Sequence, residues 1–218
     1  MSDRHEHGHS PTDAHAPIGL EDGESAVWSR RAAALQAVLA EKGVISNDEV
    51  RATIEDWEAK TPAQGARVVA RAWVDPDFKA RLLANGKQAV RDLLGIDTGT
   101  TELVALENTD QVHHVVVCTL CSCYPRAVLG LPPAWYKSLA YRSRTIANPR
   151  SVLREFGMQL DPSVEVQVVD STADIRYLVI PRRPAGTEGM TEEQLAELVT
   201  RDSMIGVARA REAVGSRQ

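Results

Sequence analysis

Apolar residues recur at helical spacing from Ala26 to Glu41, where AVWSRRAAALQAVLAE places Val27, Ala34, Leu35 and Val38 on one side and Gly43 supplies a C-terminal stop. Ser46-Asn47-Asp48-Glu49 fits a capping box that opens a second helix through Val50, Ile54 and Trp57. Thr61-Pro62 and Asp75-Pro76 read as two further helix starts, with Thr or Asp as the cap and Pro at the first helical position. Asn85-Gly86 ends the latter, and a short helix from Lys87 to Leu94 stops at Gly95. The pattern therefore predicts a helical arm followed by short helices.

After Gly99 the period changes. TELVALE and HHVVV are β-rich runs separated by the turn sequence Asn108-Thr109-Asp110. A helix is expected from about Pro133 through Trp135 to Arg144, and another from Pro149 to Phe156, closed by Gly157. VEVQVVD (164–170) and IRYLVIP (175–181) flank a short turn and predict a hairpin. Thr191-Glu192-Glu193-Gln194 is a second capping box, opening a C-terminal helix. The expected fold class is α+β: an N-terminal helical arm followed by a mixed α/β layered metal-binding domain. The boundaries implied are a disordered tail over 1–24, a helical region over 25–98, an α/β catalytic domain over 99–210 and a flexible end over 211–218.

Composition narrows the picture. The 218 residues are 43% hydrophobic and 25% charged, as expected of a globular chain with a core of its own. No apolar run approaches the roughly 20 residues needed to cross a bilayer, and the N-terminus offers no apolar stretch for a signal peptide, so the cytoplasm is the expected compartment. A net charge of -5 without a basic block argues against nucleic acid as a partner. Four histidines, His5, His7, His9 and His15, fall in the polar N-terminal tail, where transient metal capture is the alternative to a plain solvated segment.

All three cysteines lie within six residues: Cys118, Cys121 and Cys123. Disulfides between residues two or three apart would be strained, so this clustering points to metal or redox chemistry. Soft thiolates select soft or borderline ions, but closed zinc and iron–sulfur sites generally need four ligands. His114 shares a strand face with Cys118 but lies about 13 Å back along the strand, too far to complete the shell. The missing ligands come from a distant His or carboxylate, from a partner chain, or from the backbone amides between Cys121 and Cys123. Amide nitrogen with thiolate suits trivalent cobalt or iron, and an octahedral ion with five protein ligands keeps one position open for water or substrate. A metal-free buried thiol cluster is the plain alternative.

VVVCTLCSC, followed by LGLPPAWYK, YRSR and NPRSVLREFG, resembles the α subunit of the nitrile hydratase family. GARVVARAWVDPDFKARLL, RYLVIPRRPAGTEG and TEEQLAELVTRD extend the resemblance over roughly residues 27 to 208. The resemblance implies hydration of a nitrile to an amide at one low-spin trivalent ion, Co(3+) or alternatively Fe(3+), per chain. Its ligands would be the sulfurs of Cys118, Cys121 and Cys123 and the main-chain nitrogens of Ser122 and Cys123. By the same resemblance Cys121 becomes a sulfinate and Cys123 a sulfenate, both taking part in catalysis, and Thr119 resembles the cobalt type. A separate β subunit supplies arginines to the oxidised sulfurs, in a heterodimer or heterotetramer that an activator or metallochaperone loads with metal. The stretch from Val128 to Tyr136 would pack against that partner, line the cavity, or serve as ordinary core.

Two positions depart from the family pattern. Arg126 stands where a Trp is common, and CTLCSCYPR also resembles the γ subunit of thiocyanate hydrolase. Arg126 therefore either faces the substrate pocket, with Thr119, and favours a polar or anionic substrate, or turns outward to a carboxylate at the interface. Gly99 stands where the family places a Gln near the site. The alternatives to a nitrile hydratase subunit are a thiocyanate hydrolase-like subunit and, from another class, a metal-storage or metallochaperone-like protein.

Overall fold

The computed structural model describes residues 22–213. The expected His-rich tail lies outside the described residues except at its last three, which already belong to the first helix. Fifteen elements follow in chain order. Helices α1 (Asp22–Glu41), α2 (Asn47–Ala59), α3 (Pro62–Val74), α4 (Pro76–Ala84) and α5 (Gly86–Leu94) precede strands β1 (Glu102–Glu107) and β2 (Val112–Val117). Next come the short helices α6 (Arg126–Leu129), α7 (Ala134–Lys137), α8 (Leu139–Ala147) and α9 (Pro149–Glu155). Strands β3 (Glu165–Asp170) and β4 (Ile175–Ile180) and helices α10 (Glu192–Leu198) and α11 (Arg201–Ile205) complete the fold.

Local chemistry sets most helix boundaries as expected, although Thr61, expected as the cap of α3, makes no side-chain cap hydrogen bond and Pro62 alone marks that start. The Ser46 and Thr191 capping boxes both close, with Glu49 and Gln194 as the reciprocal partners. Asp75 caps α4 by accepting from the Phe78 amide, and Gly95 ends α5 in the left-handed conformation. A third capping box, Thr200 with Ser203, opens α11 and was not foreseen. The single helix expected from Pro133 to Arg144 is two: Ser138 is extended and buried, and its hydroxyl accepts from the Tyr141 amide to start α8 afresh. A cap satisfied in this way outcompetes helix continuity.

The expected hairpin between β3 and β4 does not form. β3 pairs with β2, and β4 pairs with β1, both parallel. The connection through Ser171–Asp174 contains no residue of positive φ, so it lacks the backbone that a tight hairpin turn requires. It turns instead on Thr172, whose hydroxyl accepts from the Asp174 and Ile175 amides, and carries the chain from one sheet to the other. β2 is buried from His113 to Val117 and needs a strand partner rather than an open edge.

Two glycines mark close approaches that hold the layers together. A Cβ at Gly206, which has φ +89° and ends α11, would lie 1.9 Å from the His114 carbonyl oxygen. α11 therefore seats directly on β2, and His113 Nε2 donates to the Gly206 oxygen at 2.7 Å. A Cβ at Gly130, at the end of α6 with φ +69°, would lie 2.3 Å from the Lys60 oxygen, which locks the α2–α3 connection onto α6.

The arm is built differently. None of the described side chains of α1 or α2 is buried, and Trp28, Leu35, Val38, Ile54 and Trp57 are all exposed. The apolar side chains anticipated on one side of α1 have no cover among the described residues.

Candidate metal centre

β2 delivers Cys118, fully buried, to the C-terminal end of the sheet, and the chain then turns sharply through Cys121 and Cys123. The Cys118 and Cys121 sulfurs lie 3.6 Å apart, those of Cys121 and Cys123 3.2 Å apart, and all three fall within 4.8 Å of one another. One ion can reach all three. The Cys121 amide also donates to the Cys118 sulfur at 3.2 Å, which curls the loop around the thiols.

The rest of the chain fixes the loop's backbone from outside. β3 ends at Asp170, beside Val117 of β2, and its carboxylate accepts from the Thr119 amide at 2.9 Å and from the Thr119 hydroxyl at 2.5 Å. Tyr136 Oη donates to the Cys123 carbonyl at 2.9 Å, and Arg142 Nη1 donates to the Cys121 carbonyl at 3.0 Å. Burial raises the Tyr136 pKa well above its ordinary value, so the phenol stays protonated as a donor. Tyr136 is held by ring packing: Tyr124 at 5.2 Å and Trp135 at 6.0 Å meet it edge to face. The two carbonyls and the Thr119 amide are thus engaged outward, while the Ser122 and Cys123 amides turn to the Cys121 sulfur.

Electrostatics differ along the loop. The hydrogen bond with Cys123 is the main cause that lowers the Cys121 pKa, and the Ser122 and Cys123 amides act in the same direction. Burial, followed by the bond with Cys121, pushes the Cys123 thiol up to about 12. The Arg176 guanidinium opposes that rise. In the absence of an ion these shifts favour the thiolate at Cys121 and the protonated thiol at Cys123. An ion of high charge would reverse that by deprotonating the coordinating thiol.

A cavity of about 400 Å³ opens over Cys121, Ser122 and Cys123 and is bordered by Thr98, Thr101, Arg126 and Arg176. Arg126 borders it, and its guanidinium also lies over the Trp57 ring of α2, 5.7 Å from the centroid. Thr119, expected in the pocket, is not among the residues bordering it, because its hydroxyl is engaged by Asp170. Val128 and Tyr136 are core, whereas Leu131 is exposed. Gly99 has φ +75°, a backbone conformation that disfavours a side chain, and the cavity wall is lined by its neighbours Thr98 and Thr101. His113 and His114 stay out of the site, bonded to Asn108 at the far end of β2.

Sequence reading missed Asp170, Tyr136, Arg142 and Arg176. Asp170 reaches the loop only because β3 pairs in parallel with β2, a pairing that the expected hairpin concealed. Arg176 reads in sequence as an outward position of a strand. In the fold its guanidinium caps the Thr172 and Ala173 carbonyls beside the cavity.

The family model described as nitrile hydratase, alpha chain, matches residues 26–208, nearly the whole described chain. The chain belongs to that family. Among relatives, the low-molecular weight cobalt-containing nitrile hydratase subunit alpha of Rhodococcus rhodochrous is 51% identical, covering 92% of this chain and 95% of its own. Thiocyanate hydrolase subunit gamma of Thiobacillus thioparus is 42% identical over 80% of this chain and 76% of its own. In structure, an Fe-type nitrile hydratase from Comamonas testosteroni Ni1, solved as a double mutant, superposes with a TM-score of 0.82 at 41% identity, covering 88% of this chain and 96% of that one. As a nitrile hydratase alpha chain, the protein is an enzyme subunit of mixed α/β architecture. Among the described residues no helix is long and apolar enough to cross a membrane.

Proposed function

We propose that the chain is the metal-binding α subunit of a cobalt nitrile hydratase, which adds water across R–C≡N to give R–CONH2 in the cytoplasm. The observation that supports it most is the convergence of three sulfurs at the floor of a cavity, on a loop whose carbonyls the chain itself ties down. The donor set fits the ion: Cys118, Cys121 and Cys123 offer sulfur, and the main-chain nitrogens of Ser122 and Cys123 supply the strong-field donors that a trivalent metal favours. Thr119 and the cobalt-containing relative support Co(3+), with Fe(3+) as the alternative. When bound, the ion supplies a Lewis acid at the cavity floor.

The chain's own residues do the rest. Cys121 and Cys123 carry anionic oxygens once oxidised to sulfinate and sulfenate, and Arg176, with cationic donors of a β subunit, stabilises that charge. Cys123 lines the cavity, and its sulfenate oxygen would take the proton of the water whose oxygen bonds to the nitrile carbon. Returning that proton to the substrate nitrogen gives an imidic acid, which tautomerises to the amide. Asp170 holds Thr119, and Tyr136 and Arg142 hold the loop carbonyls, so the sulfurs do not reorganise between turnovers. The exposed apolar residues of α1 are the seat of the β subunit, and a metallochaperone or activator loads the ion.

Arg126 at the cavity wall and the thiocyanate hydrolase relative support a second reading, hydrolysis of thiocyanate at the same loop. Co-expression with the partner subunit tests both: the complex hydrates acrylonitrile and benzonitrile, and the isolated chain does not. Turnover of thiocyanate alone would favour the second reading. Readily exchanged metal without any turnover would favour metal storage.

A further inference from the structure

Arg126 does not stand free at the cavity. α6 begins at Arg126 and ends at Gly130, whose missing side chain lets the Lys60 carbonyl approach to a distance no other residue would tolerate. A second glycine, Gly65 in α3, packs in the same way against Leu129 and the Val128 carbonyl. Lys60 directly follows α2, so these contacts fix the end of the arm helix against α6. One helical turn back, Trp57 presents its ring to the Arg126 guanidinium at 5.7 Å. Trp57 is half exposed and belongs to a helix with no buried residue, so ordinary core packing does not account for its ring being there.

We propose that Trp57 is a specificity-determining positioning residue: it acts through Arg126, holding that charge at the cavity mouth and favouring anionic over neutral substrates. The inference rests on the nitrile hydratase reading and deepens it. A guanidinium over an indole face keeps its full charge, because the attraction uses the ring quadrupole and not a counter-ion. A carboxylate partner would cancel the field that an incoming anion meets, whereas Trp57 leaves it intact and restricts only where it points. The arm helix thereby adds a wall to a site otherwise built from the body of the chain.

The test uses the assembled complex and two nitriles of similar size, neutral propionitrile and anionic cyanoacetate, comparing kcat/KM for each. Trp57→Ala is expected to lower the cyanoacetate-to-propionitrile ratio about threefold, the scale of one partly exposed cation–π contact. Trp57→Phe keeps a ring and should retain most of the ratio. In an Arg126→Met background the ratio falls to the level that Arg176 alone sustains, and adding Trp57→Ala then changes nothing. Equal loss on both nitriles, or a Trp57→Ala effect that persists without Arg126, would overturn the inference. Cyanoacetate binding measured by calorimetry reads the same charge without turnover. A complex that hydrates neither nitrile would thus fail the functional reading and still leave the Arg126–Trp57 coupling to be judged.

Discussion

The arm and the cysteine loop use apolar and polar groups in opposite ways. In the loop region, Cys118, Val115–Val117 and Tyr136 are buried, and the backbone around the sulfurs is engaged by Asp170, Tyr136 and Arg142. In α1 and α2 the large apolar side chains stay on the surface: Leu35 is 61% exposed and Trp28 56%. Amphipathic periodicity shows which face will be covered and not which chain covers it. The difference separates what the chain completes by itself, a cluster of three converging sulfurs, from an apolar face that no other described residue covers.

Breaking the arm should give the largest effect. Leu35→Glu with Val38→Glu puts two charges into the exposed stripe, and at about 2 kcal/mol or more for each buried interface anchor it should weaken the complex at least a hundredfold. The isolated chain should keep its melting temperature, because neither side chain is packed within the chain. Sedimentation of the mixed subunits and calorimetry of the isolated chain read the two quantities. Lower stability of the isolated chain would show that the arm packs within its own subunit.

A smaller effect sharpens the other side of the comparison. His113 is buried between Asn108 and Gly206, and desolvation, opposed by its bond to the Gly206 carbonyl, lowers its pKa; His114 shifts the same way for the same leading cause. Both rings therefore favour the neutral form in the folded chain. As pH falls through the unfolded value near 6.5, the unfolded chain binds protons that the folded chain does not, and stability declines until the lower folded value is passed. The melting temperature should drop by roughly a few degrees between about pH 7.5 and about pH 5.5. His113→Asn should flatten that slope, which a thermal-shift series would show. The arm variants should leave it unchanged.

What could be read from the sequence follows the range of the interactions. Ser46, Asp75, Gly95 and Thr191 act on residues within one turn, so their caps were legible, and the three cysteines announced their own site. Strand pairing was not legible, because β2 meets β3 and β1 meets β4 across the helices between them, and a short connection between two strands looks the same whether they pair or part. Asp170, Tyr136 and Arg142 reach the loop only through those crossovers. Trp57 read as an apolar position on a helix, and its place beside Arg126 depends on the glycine contact at the far end of α6.

The central claim is that the loop holds one trivalent cobalt per chain on three sulfurs, two of them oxidised. It is tested most directly by joining elemental analysis of the purified complex to mass spectrometry of the peptide spanning Cys118 to Arg126. The account predicts about one cobalt per α chain, a sulfinic acid at Cys121 and a sulfenic acid at Cys123, with Cys118 unmodified. Stoichiometric zinc with no cobalt or iron, or three unmodified thiols in an active preparation, would contradict it.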